Sequence, residues 1–444
     1  MTTLTDRSHF ETLAAALCVA DGVDRVSLTL NAESSDFLRF NRAALRQATQ
    51  VLQAQATVAV VRGARRAESS LTLSGDAAQD LRRLQAERAQ LTSDLDLIPD
   101  DPWLLLPDTA TRSERDDAGA LPTPDQVIDA VREHAAGRDF VGFYAGGPVV
   151  RAYADSLGSR HWHRVESFHF DWCLYQAADK AVKTAYAGTQ WSTTEFARRV
   201  HEAAARVELL KLDARTLAPG AYRAAFSPAA MNELLGALGW SGFSLKSRRT
   251  GVSSLLQLAH GDARLHAGFH LSEATGLGIA PAFTADGFVK PAEVSLVRAG
   301  QAADTLNSPR SAREYGLPAN GANAEESPDS LSLAPGALPH ERLLESLGTG
   351  LYVSNLWYLN YSDRQACRMT GMTRFACFWV EDGRLVAPLN VMRFDDGFLR
   401  MFGEGLVGLT DRAEIVPESD TYQMRQLGSI TTPAAVIEGW KLTL

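Results

Sequence analysis

Apolar and polar positions change period several times along the chain, and each change marks an element. HFETLAAALCVA (9–20) carries apolar residues at helical spacing, whereas VDRVSLTL (23–30) alternates with period two, the signature of a half-buried strand. ATVAVVRG and AESSLTLSG read as two further strands joined by a basic turn, and DAAQDLRRLQAERAQLTSDLD (76–96) reads as a long polar helix. TATRSERDDAGALPTPDQ (109–126) shows no period and is expected to be a loop, dividing two lobes at about 109–122. Thr123-Pro124-Asp125-Gln126 then combines a capping hydroxyl, a proline at the first helical position and Gln at the third, which predicts a helix start.

DFVGFYAGGPVVRAYADSLG and HWHRVESFHFDWCLYQ are rich in aromatic and β-branched residues at period two, so hairpins are expected, the first broken at Ala145-Gly146-Gly147-Pro148. Ser192 to Glu195 forms a capping box opening a helix over 192–210, and Ser227-Pro228 opens another, SPAAMNELLGALGW. Beyond it the chain turns glycine-rich and β-rich. The stretch 321–341 is expected to be an exposed loop or a segment that orders on contact, Asp382-Gly383 to turn a hairpin, DDGFLRMFGEGLVGLT to form a helix with a glycine-marked end, and TPAAVIEGWKLTL to close as a strand. The fold class that follows is α+β, with an N-terminal α+β domain (1–220) and a β-rich C-terminal domain (221–444) holding a few helices.

Composition narrows the function classes. The 444 residues are 45% hydrophobic and 22% charged, ordinary values for a soluble globular protein. Lys+Arg 44 against Asp+Glu 53 gives a formal charge of -9, which argues against a surface that tracks phosphates, so no nucleic-acid partner is expected. LAAALCVA (13–20) is too short to span a bilayer and lacks the flanks of a signal peptide, so no membrane partner and a cytoplasmic location are expected. Cys18, Cys173, Cys367 and Cys377 are scattered without a CxxC pair and read as free thiols in or near cores.

Histidines pose the sharpest chemical question. LHAGFH places His266 and His270 four apart, with His260 six residues before the first, and three imidazoles suffice for zinc. The neighbouring Gly261 and Gly268 favour strand and loop over helix, which removes the shared helical face, so surface or peptide-contacting histidines are the expected reading and a metal site the alternative. His161, His163 and His169 could line one strand face, and their interleaving with aromatics favours a structural role. No G-x-S-x-G, P-loop or strand-following G-x-G-x-x-G occurs. Tyr352, Trp357, Tyr358 and Tyr361 make an aromatic-rich stretch, for which packing is the default and a peptide-lined groove the second reading.

The succession of pieces in GLYVSNLWYLNYSDRQACRMTGMTRFACFWVEDGRLVAPLNVMRFDDGFLRMFGEGLVGLT (350–410) resembles the C-terminal region of the TldD/PmbA family, also called modulator of DNA gyrase or TldD/TldE peptidases. VGFYAGG, SLGSRHWHR and the helix after Ser227 occur in the family's order too, so the resemblance covers about 130–444, and the first hundred residues more weakly. It implies a heterodimeric zinc peptidase acting on small or unfolded peptides and leader sequences. Its zinc-bearing members carry HExxxH on the helix that here begins at Pro228, plus a cysteine near the C-terminus.

Laid on this chain, the two histidine positions fall on Asn232 and Ala237 and the general-base glutamate on Glu233, so the motif reads NELLGA. The last cysteine, Cys377, lies in the expected hairpin, and DTYQMRQLGS (420–429) offers none. Every family ligand position is vacant, the pattern of the PmbA/TldE-type subunit. Glu233 without imidazoles beside it has no zinc-bound water to deprotonate, and reads as an exposed helix residue or ion-pair partner. The expectation is a TldE-like chain, inactive alone and with no cofactor of its own, whose partner is a zinc-bearing TldD-type homologue and whose ligand is a peptide. The alternatives are an autonomous hydrolase with other ligands, or a homodimeric peptide-binding scaffold.

Overall fold

A computed structural model describes residues 4–443. In the N-terminal half, β1 (Arg25–Asn41), β2 (Ala44–Arg62), β3 (Arg65–Thr72), β4 (Arg112–Asp117), β5 (Asp139–Asp155), β6 (Arg160–Ala177) and β7 (Lys180–Gly188) form a seven-stranded sheet in the order β3-β2-β1-β5-β6-β4, with β7 also paired to β6. Neighbours run antiparallel except β4, which lies parallel to β6. Helices α1 (Arg7–Leu17), α2 (Ala77–Asp94), α3 (Pro124–His134) and α4 (Thr193–Leu209) belong to the same half.

Alternation along β6 decides what each face does. Trp162 packs with α1 and α2, while Phe168, Phe170, Trp172 and Leu174 pack with Val127 and Val131 of α3 and Phe196 and Val200 of α4. The helices thus cover the face carrying the even-numbered residues, and the odd-numbered residues turn toward the C-terminal half.

That half holds helix α5 (Pro228–Leu238), the short helices α6 (Leu245–Arg249), α7 (Leu256–His260), α8 (Pro309–Tyr315), α9 (Leu343–Leu347) and α10 (Phe398–Met401), and a thirteen-stranded sheet. Its main path joins β8 (Gly220–Phe226), β9 (Leu271–Glu273), β10 (Val294–Arg298), β11 (Gln301–Ala302), β12 (Ser330–Leu333), β13 (Gly350–Val353), β16 (Phe378–Glu381), β17 (Arg384–Pro388) and β20 (Ser429–Leu442). A branch of β14 (Asn355–Asp363), β15 (Arg368–Arg374) and β18 (Arg393–Gly397) attaches through β20, which also carries β19 (Leu406–Pro417). The α+β class expected from the sequence is what the structure shows. One apolar core crosses between the halves, since Tyr352, Phe378 and Val436 share a cluster with Phe170, Trp172 and Phe196.

Four local expectations are corrected. The stretch 109–126 is not all loop: Arg112–Asp117 pairs in parallel with Arg160–Val165, and Arg164 reaches Asp116 at 3.1 Å. A polar edge strand of this kind has no apolar alternation to betray it. β5 runs unbroken through Ala145-Gly146-Gly147-Pro148. There Gly147 (φ +141) provides closeness instead of a turn, because a Cβ on it would lie 2.0 Å from the Ser34 carbonyl oxygen. The stretch 321–341 contains β12, parallel to β20, and DDGFLRMFGEGLVGLT splits into the four-residue α10 and the start of β19. Among the described residues no helix is long and apolar enough to cross a membrane.

Candidate functional site

Helix α5 begins where the sequence places it, because Ser227 accepts from the Ala230 amide at 3.2 Å and Pro228 occupies the first turn. The Ser227 hydroxyl also donates to the Ser354 carbonyl at 2.5 Å, tying the helix start to the turn between β13 and β14. Ala230, Met231, Leu234, Leu235, Ala237 and Leu238 are buried. Asn232 is half-buried and Glu233 is exposed.

The helix therefore offers no zinc site at the positions the family resemblance points to. Asn232 supplies a neutral amide and Ala237 a methyl group sealed in the core, whereas a catalytic zinc takes three His, Cys or carboxylate ligands and leaves one position open. Glu233 alone keeps a carboxylate there. Solvent reaches it, but the surrounding walls raise its pKa above the ordinary carboxylate range, with Lys183 of β7 pulling the other way.

Residues His260, His266 and His270 are exposed and are not brought together. His260 ends α7, 3.9 Å from Asp262; Nδ1 of His266 accepts from the Gly268 amide at 3.0 Å; Nδ1 of His270 accepts from the Ala299 amide at 3.3 Å. Among the described residues no group of three or more His, Cys, Asp or Glu side chains is placed to hold a metal ion.

Of the four aromatic candidates, two are anchors. Tyr352 is buried in the core that joins the halves, with Arg206 over its ring at 5.4 Å. Tyr361 is half-buried, its hydroxyl donating to the Ala237 carbonyl at 2.9 Å and lying 3.0 Å from Ser254 Oγ, which fixes β14 to the end of α5. Trp357 and Tyr358 are 50% and 75% exposed, with ring centroids 5.6 Å apart, on a strand that among the described residues pairs with β15 alone and so has one edge without a strand partner.

The three β6 histidines line the seam between the halves. His161 stacks on Phe283 at 4.9 Å and lies 2.8 Å from Ser113 Oγ. His163 Nε2 is 3.0 Å from the Ile279 carbonyl, and burial pushes its pKa down to about 4, with the Arg115 charge acting in the same direction. His169 sits 3.6 Å from Asp171, and its pKa too is lowered by burial.

A residue the sequence reading passed over, Arg425, closes this seam. Its guanidinium is buried and donates to the carbonyls of Gly147 (2.9 Å) and Ser167 (2.7 Å) and to the Ser167 hydroxyl (2.9 Å). Burial lowers its pKa to about 10, while the buried carboxylate of Glu33 opposes that shift. Nothing in DTYQMRQLGS marks this arginine; its role arises from contacts more than 250 positions away in sequence.

Farther along the same face of β6, beyond the seam, Asp171, Cys173 and Tyr175 are only half-buried. Against the burial that raises the Cys173 pKa act Lys183 from β7 and Arg374 from β15. A cavity of about 1330 Å³ is lined by residues of both halves, among them Arg66, Arg151, Asp286, Lys290, Asp329 and Glu418.

Residues 219–444 match the family model described as the PmbA/TldA metallopeptidase C-terminal domain. No curated protein matches the sequence. The fold is similar to that of TldE from Thermococcus kodakarensis, with a TM-score of 0.80 at 13% identity, covering 98% of this chain and 100% of that one. It is also similar to proteins described as modulators of DNA gyrase from Thermotoga maritima and Bacteroides thetaiotaomicron. The first has a TM-score of 0.74 at 13% identity over 94% of this chain and 96% of that one. The second has a TM-score of 0.74 at 15% identity over 99% of this chain and 98% of that one. With the family model spanning the whole C-terminal half, the chain belongs to the PmbA/TldD family.

Proposed function

We propose that this chain is a non-catalytic, TldE-like subunit of a two-component zinc peptidase, shaping one wall of a peptide cleft whose metal resides in a TldD-type partner. The observation that carries the reading is the state of α5. The family's helix is present, capped and packed, yet Asn232 and Ala237 cannot ligate zinc. What this chain contributes is binding: the free edge of β14 can hydrogen-bond an extended peptide backbone without reading much sequence, while Trp357 and Tyr358 offer apolar area to its side chains. Unfolded peptides and leader segments are the substrates such recognition suits.

The test is a peptidase assay on an unstructured peptide with the chain alone, a zinc-motif homologue from the same organism alone, and the two mixed. The reading expects no turnover from this chain alone and cleavage by the mixture exceeding that of the homologue alone. Turnover by this chain alone, abolished by a chelator, would overturn it.

A further inference from the structure

The edges of the N-terminal sheet are not alike. β3 carries Arg65, Arg66 and Glu68, β7 carries Lys180 and Lys183, and β4 is charged at five of its six positions, which keeps those edges from pairing with another chain. β2 differs. Its outer side pairs with β3 only from Gln55 to Arg62, and just beyond that the Leu73 amide reaches the Ala54 carbonyl at 2.9 Å. From Ala44 to Gln53 no strand lies outside β2 among the described residues. Over Gln47–Gln55 the sequence QATQVLQAQ holds nine residues without a charge or a proline. Ala44–Gln50 are all exposed and Leu52 is 50% exposed, so side chains on both faces of this corner meet solvent.

We propose that this edge pairs, antiparallel, with the same edge of a second copy of the chain, joining the two N-terminal sheets into one. The edge that is available fixes the register. Arg46 has no partner on β1, which marks a bulge, and Ala54 is taken by Leu73, so the regular free stretch is Gln47–Gln53. A two-fold axis at its centre, Gln50, sets Gln47 opposite Gln53, Ala48 opposite Leu52 and Thr49 opposite Val51. No like charges meet across this pairing, and the outward N–H and C=O groups of alternate residues gain partners that their own chain does not supply. A neutral edge that can face itself is what a two-fold, isologous contact requires, whereas the charged edges β3, β4 and β7 are built against it. The other uncharged edge, Asn355–Ser362 of β14, is interrupted by register shifts after Trp357 and after Tyr361 and by Tyr358 at φ +60, so it suits a short peptide and not a long regular pairing. The inference does not rest on the peptidase reading, since Asn232, Glu233 and β14 all belong to the other half of the chain.

The experiment is sedimentation velocity of the full chain across the micromolar range, for the wild type and two double variants at exposed positions. The proposal expects a wild-type dimer. Ala48→Lys with Leu52→Lys sets lysine opposite lysine and weakens self-association at least about tenfold, and Ala48→Glu with Leu52→Glu does the same with carboxylates. Mixing the Lys variant with the Glu variant restores a dimer, which a loss of folding would not do. Hydrogen exchange of the wild type gives a readout free of substitutions: amides within Gln47–Gln53 should exchange more slowly in concentrated than in dilute solution. A wild-type chain that stays monomeric, with exchange in this stretch independent of concentration, overturns the proposal. A dimer that survives both double variants places the contact elsewhere and overturns it too, as does a mixture that fails to recover the dimer although both variants melt like the wild type. Protection of Gln47–Gln53 that appears only when a zinc-motif homologue is added assigns the edge to that homologue and overturns self-pairing, while leaving the peptidase reading in place.

Discussion

One face of β6 does two things at its two ends. Between Arg160 and Ser167 it is sealed against the C-terminal half, with His161 on Phe283, His163 on the Ile279 carbonyl, Val165 clustered with Ile279 and Leu427, and Ser167 on Arg425. Between Asp171 and Tyr175 the same face is only half-buried, with Lys183 of β7 across from Cys173. In the sealed part the polar groups mostly find partners within the chain, so their contribution is to hold the halves together. In the half-buried part solvent reaches the same face, so its side chains are within reach of something else. The difference teaches which buried or half-buried polar residues to assign to stability and which to binding.

The largest effect should come from breaking the seam. Arg425→Ala leaves the carbonyls of Gly147 and Ser167 without this donor and takes from Glu33 one of the two positive charges that act on it, the other being Arg151. A loss of about 4 kcal/mol is expected in urea unfolding. A change below about 0.5 kcal/mol would show that the seam does not depend on this residue.

His163 adds a pH dependence whose sign is fixed. Its folded pKa, about 4, lies below the ordinary value near 6.5, so the unfolded chain binds more protons between those values. Its contribution is complete above about pH 6.5, is lost as pH falls toward 4, and changes no further below that. Glu273, pushed up to about 7 by burial, acts with the opposite sign, losing stability as pH rises through the same window. The clean observable is therefore a difference: His163→Asn should remove up to about 3 kcal/mol of acid destabilisation relative to the wild type between pH 6.5 and 4. Parallel stability profiles for the two proteins would contradict this account of the buried imidazole.

Restoring the histidines on α5 sharpens the contrast between packing and chemistry. Asn232→His with Ala237→His recreates the motif in sequence, but position 237 is 3% exposed within the core, so an imidazole there overpacks it. A loss of about 2 kcal/mol with no stoichiometric zinc is expected, checked by thermal melting and metal analysis. A stable variant that binds one zinc would mean that the ligand positions were lost without the core closing over them.

At the open end, the smallest stability effect should accompany a clear binding effect. Trp357→Ala with Tyr358→Ala should alter stability by less than about 0.5 kcal/mol and weaken peptide binding several-fold. Unfolding of this variant, with peptide affinity retained, would reassign the pair to packing.

What could be read from the sequence was what is local. Ser192, Ser227-Pro228 and Thr123-Pro124 predict helix starts because capping is settled within four residues. Asn232 and Ala237 are legible as vacant ligand positions because a motif is a fixed spacing. The polar end of β2, where Ala44–Gln50 are exposed, and the charged strand β4 gave no alternation to read, since their ladders satisfy the backbone without burying a face. The role of Arg425 depends on chain segments far apart in sequence, so no window contains it. Tyr352 and Tyr361 look like Trp357 and Tyr358 in sequence, and only packing separates anchors from exposed rings.

The measurement that bears most directly on the central claim is native mass spectrometry of this chain alone and mixed with a zinc-motif homologue from the same organism. The account predicts a metal-free chain alone and a one-to-one complex carrying one zinc in the mixture. Stoichiometric zinc on the chain alone would contradict it, and with it the assignment of α5 as a helix that has kept its place in the fold and given up its metal.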